Sequence, residues 1–168
     1  MKKFFALLMF SGIIFAANAQ QMRGSFCAIC GSRVNFEIDF SKAYIHGMTE
    51  QAFAESEDGW FVDKPEIEGL FLEHLNNGLG GLARFGCYPN ADYTLRVEVV
   101  EVAASGDFDS DVLLLDGENN EVAKLVGLQA KGGLFGTKLY LIKFGAKHSG
   151  NALGGLLYKQ LKKCNRKR

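Results

Sequence analysis

The 168-residue chain has no apolar run beyond its first twenty residues long enough to cross a bilayer, and no excess of charge of either sign. A membrane-spanning helix needs about 20 consecutive apolar residues, so no membrane span is expected in the body of the chain. Nineteen basic residues balance nineteen acidic ones, and no nucleic-acid partner is expected. Histidine is scarce and scattered, at His46, His74 and His148. The chain therefore has no H-x-x-x-H pair for a metal, and it has no G-x-S-x-G elbow for a nucleophile. A phosphate loop is missing as well. In "KGGLFGTK" the lysine follows Thr137 and not a glycine, and Gly132-Gly133-Leu134-Phe135-Gly136 lacks the G-x-G-x-x-G spacing. No catalytic, cofactor-binding or metal-ligating residue is assigned on this basis, and no cofactor is expected.

What is present begins with an address. In "MKKFFALLMFSGIIFAANAQ" Lys2 and Lys3 precede an apolar stretch from Phe4 to Ala17, and Ala17-Asn18-Ala19 supplies small residues for cleavage. Residues 1–19 read as a secretory signal peptide cut near Ala19, giving an exported protein, periplasmic or extracellular. Cys27 follows Gly24-Ser25-Phe26, which is not the box that precedes a lipidated cysteine. The remaining chain, about 149 residues, has the size of one domain and can bury a core without a staple. Without Lys2 and Lys3, 17 basic residues face 19 acidic ones, and six of the 17 fall in the final "KQLKKCNRKR". The body is thus acidic and the tail basic. Lys162, Lys163, Arg166, Lys167 and Arg168 are candidate contacts for an anionic surface, or the positive end of a helix complementing its dipole.

Four cysteines follow the leader: Cys27, Cys30, Cys87 and Cys164. Cys27 and Cys30 have C-x-x-C spacing and are the candidate disulfide or redox pair. They sit in a Gly/Ser-flanked segment without the strand-to-helix junction that thioredoxin-like chemistry uses, and no second pair completes a zinc site. An oxidising compartment favours a structural disulfide, with three pairings of four cysteines open.

Periodicity gives the elements. Val34, Phe36, Ile38 and Phe40 alternate with polar residues, as in a half-buried strand. "TEQAFAESED" reads as a short helix capped by Thr49. "DKPEIEGLFLEHLNNGLGGLARFG" reads as a longer helix with an Asp63/Glu66 capping pair, Pro65 in its first turn and an Ile67, Leu70, Phe71, Leu75 stripe, frayed by Gly78, Gly80 and Gly81. "CYPNAD" is a turn. "YTLRVEVVEV" alternates until it slips at Val100, the mark of a bulge. "DFDSDVLLLD" and "EVAKLVGLQA" flank the hairpin turn "GENN". A final helix between Gly136 and Lys163 carries Leu139, Ile142, Ala146, Ser149/Gly150, Leu153, Leu157 and Leu161 on one stripe. Gly145, Ala146, Ser149, Gly150 and Gly154 line it with tiny residues, which implies a close contact offsetting the helix-propensity cost of glycine. The expected fold is α+β: a two-layer sandwich of about four strands, antiparallel or mixed, with helices on one face. Its divisions are a loose segment at 20–33, one domain at 34–164 and a basic tail at 165–168.

Asp107, Asp109, Asp111 and Glu118 occupy positions 1, 3, 5 and 12 of a calcium loop, but Val112 stands where that loop needs glycine. The simpler reading puts the aspartates on the solvent face of a strand. Trp60 and Phe61, between charged stretches, are a candidate contact or the residues that fix entry into the long helix.

The segments "FSKAYIHGMTEQAF", "DKPEIEGLFLEHLN", "ADYTLRVEVVEV", "GDFDSDVLLLD" and "GGLFGTKLYLIKFGAKHSGNALG" span most of residues 34 to 162. Through them the chain resembles a group of small exported proteins of Bacteroides-type bacteria. More loosely it is similar to envelope proteins with the fold of the TolB amino-terminal domain and the curli secretion lipoprotein. The resemblance implies docking or assembly without catalysis, and carries over no catalytic residue. The missing lipidation cysteine departs from the lipoprotein members.

The sequence thus favours an exported cell-envelope binding or assembly module acting through protein contacts, with envelope proteins or its own copies as partners. A small-ligand carrier with a pocket between helices and sheet is the alternative, and a thiol–disulfide protein using Cys27 and Cys30 the further one.

Overall fold

Alternating apolar residues build the strands and three-to-four spacing builds the helices, in the order the periodicity dictates. The structure, a computed structural model, describes residues 20–166; the signal-peptide reading of residues 1–19 and the last two basic residues, Lys167 and Arg168, lie outside them. Eight strands are formed among the described residues: β1 (Gln21–Gly24), β2 (Arg33–Asp39), β3 (Tyr44–Ile45), β4 (Met48–Thr49), β5 (Arg84–Gly86), β6 (Tyr93–Val102), β7 (Phe108–Asp116) and β8 (Glu121–Ala130). Three α-helices accompany them: α1 (Glu50–Ser56), α2 (Trp60–Gly78) and α3 (Lys138–Asn165).

The sheet order is β1-β8-β7-β6-β2-β5, with the β3–β4 hairpin attached to the end of β6. β6, β7 and β8 form an antiparallel meander, whereas β2 runs parallel to both β5 and β6. The sheet is therefore mixed, and it holds eight strands where about four were expected. The four extra ones, β1, β3, β4 and β5, are each two to four residues long, too short for a period-2 pattern to emerge from the sequence. Residues 20–33, read as loose, carry β1 and a 3-10 turn at Phe26–Ile29 capped by Ser25.

Leu95, Val97 and Val99 of β6, Val112 and Leu114 of β7, and Leu125 and Leu128 of β8 face the helices and are buried. The opposite face carries paired charges, Glu37 with Arg96 at 2.9 Å and Asp111 with Lys124 at 3.2 Å. The bulge falls where the pattern slips, between Val99 and Glu101, and leaves Val100 exposed. Asp116 closes the β7–β8 turn by accepting from the Glu118 and Asn120 amides at 2.9 Å each.

Thr49 caps α1, accepting from the Ala52 amide. α2 departs from expectation at both ends. It begins at Trp60 behind Gly59, so Asp63 lies inside the helix and makes no cap. Trp60 is drawn in because its ring is fully buried, edge-on to Phe40 and Phe53. The helix stops at Gly78, where positive φ at Gly80 and Gly81 turns the chain, and Arg84–Gly86 becomes β5 with Phe85 buried.

α2 and α3 run parallel across the sheet. Their N-termini meet where Lys143 pairs with Asp63 at 3.1 Å and Glu66 at 2.7 Å. Farther along, a Cβ on Gly154 would stand 2.7 Å from the Leu75 carbonyl oxygen, and one on Gly150 would strike the Phe71 carbonyl. Gly145 lies as close to the Gly106 carbonyl. The small-residue stripe thus serves close packing on α2 and on the β6–β7 connection, as expected.

Candidate functional site

α3 ends in two contrasting regions, and the sequence-derived candidates divide between them. At its N-terminal end the loop from Lys131 to Thr137 is held from below. The Asp107 carboxylate accepts from the Gly132 amide at 2.7 Å and from Lys131 Nζ at 2.9 Å. These donors hold Asp107 below the ordinary carboxylate range, the Gly132 amide most of all. Thr137 caps the helix by accepting from the Tyr140 amide. Between those two anchors Leu134 and Phe135 stand out at 90% and 87% exposure, with Tyr140 at 54% beside them.

The start of α2 adds to the same end. Leu139 lies against Gly59, and Lys138 pairs with Glu57 at 3.3 Å. Phe61 and Val62 follow at 69% and 78% exposure. Of the Trp60–Phe61 candidate, only Phe61 is presented to solvent. Trp60 is interior and donates its indole N–H to Glu50, which also receives Lys64. Five bulky apolar residues near the starts of these two helices are therefore exposed. Four of them, Val62, Leu134, Phe135 and Tyr140, were not singled out from the sequence. The readable signal was a Leu-Phe pair between glycines, in a stretch with no element period to bury it.

At the opposite end Cys27 is bonded to Cys164, with Cα atoms 5.7 Å apart. Cys30 is a partly buried free thiol beside the Leu161 carbonyl, and Cys87 is free and exposed. Cys27 and Cys30 bound one 3-10 turn, but the bond runs from Cys27 to α3, not between them. Lys162, Lys163 and Arg166 are exposed on the final turn.

A second feature lies at the sheet edge. A cleft of about 440 Å³ separates α2 from β2, lined by Phe36, Ile38, Glu68, Gly69, Leu72 and Cys87 among others. Burial pushes the Glu68 carboxyl above the usual carboxylate range, with Lys64 acting in the opposite sense.

The remaining titratable groups do not converge. His46 sits in the β3–β4 turn with φ 51°, its pKa lowered chiefly by burial. His74 contacts Asn151 on α3, and His148 contacts the Lys131 carbonyl. Asp109 pairs with Gln129 and Asp111 accepts from the Gly127 amide, while Glu118 lies in the hairpin beyond the far end of β7. An extended strand separates that glutamate from the aspartates, so they do not encircle one ion. Among the described residues no group of three His, Cys, Asp or Glu side chains could hold a metal, and no helix is long and apolar enough to cross a membrane.

No protein-family model and no curated protein matches the chain. Solved structures do. A PelC dodecamer from Paraburkholderia phytofirmans is 13% identical, covers 80% of this chain and 96% of its own, and has a TM-score of 0.45. A point variant of that PelC is 16% identical over 84% of this chain and 95% of its own, with the same TM-score of 0.45. A Xanthomonas campestris protein of family DUF330 is 8% identical over 83% of this chain and 92% of its own, with a TM-score of 0.43.

Proposed function

We propose that the protein is an exported cell-envelope binding or assembly module that works through protein contacts, and that the apolar end of the α2–α3 layer is its contact surface. One observation carries this reading: Phe61, Val62, Leu134, Phe135 and Tyr140 are all exposed near the starts of α2 and α3, which lie together at that end. A protein of this size has no folding reason to hold such residues in water together, and contiguous exposed apolar patches mark interaction sites. The capped start of α3 and the Asp107 anchor fix the loop that presents two of them. That pre-ordering lowers the entropy lost on association. Export is supported by the leader pattern and by the Cys27–Cys164 bond, since disulfides persist in oxidising compartments. The resemblance to small exported proteins of Bacteroides-type bacteria belongs to the same reading.

The test is sedimentation of the mature protein over a range of concentrations, with cross-linking in its own envelope, for wild type and for a Phe61→Ser, Phe135→Ser variant. The expected result is self-association or one defined cross-linked partner in the wild type, lost in the variant. A wild type that stays monomeric and cross-links no differently from the variant would sink the proposal.

A further inference from the structure

β2 has two unlike edges. On one side it pairs with β6 from Asn35 to Asp39; on the other it pairs with β5 only from Arg33 to Asn35. After Gly86 the chain turns off the edge, and the Tyr88 amide donates to the Asn35 side chain at 3.1 Å. Phe36 to Asp39 therefore present a strand edge with no strand partner among the described residues. The outer edge of β5 is closed in another way. Asn76 imitates a neighbouring backbone there, accepting from the Phe85 amide and donating to the Phe85 carbonyl at 2.9 Å each. Proteins cover exposed strand edges because their unpaired N–H and C=O groups recruit another strand. This one covers β5 and leaves half of β2 open.

The cleft between β2 and α2 runs along that open half. Gly69 is one of its lining residues, and a Cβ there would meet nothing within 4 Å. The contrast with Gly78 is direct, because a Cβ there would approach Gly154 to 3.0 Å. Packing accounts for Gly78. It does not account for a mid-helix glycine facing open space, which costs about 1 kcal/mol relative to alanine. The walls are apolar at Phe36, Ile38 and Leu72, and Glu68 is half-buried among them, whereas the Glu37 carboxylate is taken up by Arg96 on the opposite face. An apolar cleft holding one half-buried carboxylate, Glu68, is complementary to a single cationic side chain on an otherwise apolar segment.

We infer that this cleft takes an extended peptide, which adds as a strand to Phe36–Asp39 in line with β5, an apolar side chain under Gly69 and a lysine or arginine toward Glu68. Backbone pairing supplies the affinity and the alternate side chains supply the selectivity, the logic of strand addition. A bare backbone edge selects an extended chain over a compact small molecule, and the Glu68 carboxylate selects its charge. The apolar end takes no part, so this inference and the proposed function stand or fall separately.

The experiment is selection from a displayed library of random short peptides on the wild-type mature protein and on Gly69→Leu. Leucine improves helix propensity at position 69 and adds a bulky side chain to the cleft lining, so unfolding of the variant should be unchanged or shifted to higher temperature. The expected outcome is a set of alternating apolar and basic peptides that bind the wild type at least about tenfold more tightly than Gly69→Leu. The same peptides, N-methylated at alternate backbone nitrogens, should lose about tenfold or more in affinity to the wild type. The inference is overturned if no peptides distinguish the two proteins, or if N-methylation leaves binding intact. It is also overturned if the wild type purifies with a small molecule in the cleft that Gly69→Leu excludes, which would favour the ligand-carrier alternative.

Discussion

The two ends of α3 solve opposite problems with the same helix. The C-terminal end is closed: Cys27–Cys164 bonds it to the N-terminal turn, Phe26 and Ile29 are buried beneath, and its free surface is basic. The N-terminal end is open. A short anchored loop holds Leu134 and Phe135 in solvent, and the start of α2 holds Phe61 and Val62 in solvent. Between the ends, glycine contacts lock the helix to α2 and to the β6–β7 connection. The lesson is a division of labour. A covalent tie at one end and backbone-close packing in the middle secure the helix, so the other end can expose apolar side chains without the fold depending on them.

That comparison can be broken in order of expected effect. Cys164→Ser removes a bond between residues 137 apart in sequence and should cost about 4 kcal/mol in denaturant unfolding, with Cys27→Ser and the double variant costing the same. A loss below about 1 kcal/mol would mean that core packing alone closes this end.

Gly145→Val comes next. Its side chain would strike the Gly106 carbonyl and the Phe108 ring, and the variant should lose about 3 kcal/mol by overpacking. Phe135→Ser at the open end should change stability by no more than about 0.5 kcal/mol. Equal losses for the two would erase the distinction between locked centre and open end.

The smallest effect sharpens the account of the loop. Asp107 has its folded pKa lowered by the Gly132 amide and Lys131. Its contribution is therefore present above its unfolded value, near 3.8, and is lost as pH falls through the lower folded value. Hydrogen exchange at the Gly132 amide, taken relative to its intrinsic rate at each pH, should quicken across that acidic window in the wild type. In Asp107→Asn it should already be fast at neutral pH, with little global destabilisation. An amide equally protected in both proteins would show that Asp107 does not hold the loop.

The long elements were legible because their periods run for several turns or repeats. β6 with its Val100 slip, the β7–β8 hairpin and the stripe of α3 all stand where the pattern puts them. The start of α2 misled for an identifiable reason. Asp63 and Glu66 have capping-box spacing, but burial of Trp60 extends the helix past them, and both acids pair with Lys143 instead. The Trp60–Phe61 pair divides, Trp60 buried and Phe61 exposed, because adjacent residues on a helix point in different directions.

By itself the sequence determined the local elements, the close-packed stripe of α3 and the separation of an acidic body from a basic tail. All of these depend on residues near one another along the chain. Tertiary structure decided that Cys164 and not Cys30 meets Cys27, that β2 and β5 pair in parallel for only three residues, and that the starts of α2 and α3 share an apolar end. Each joins segments far apart in sequence, and local periodicity carries no information about which distant segment a face or an edge will meet.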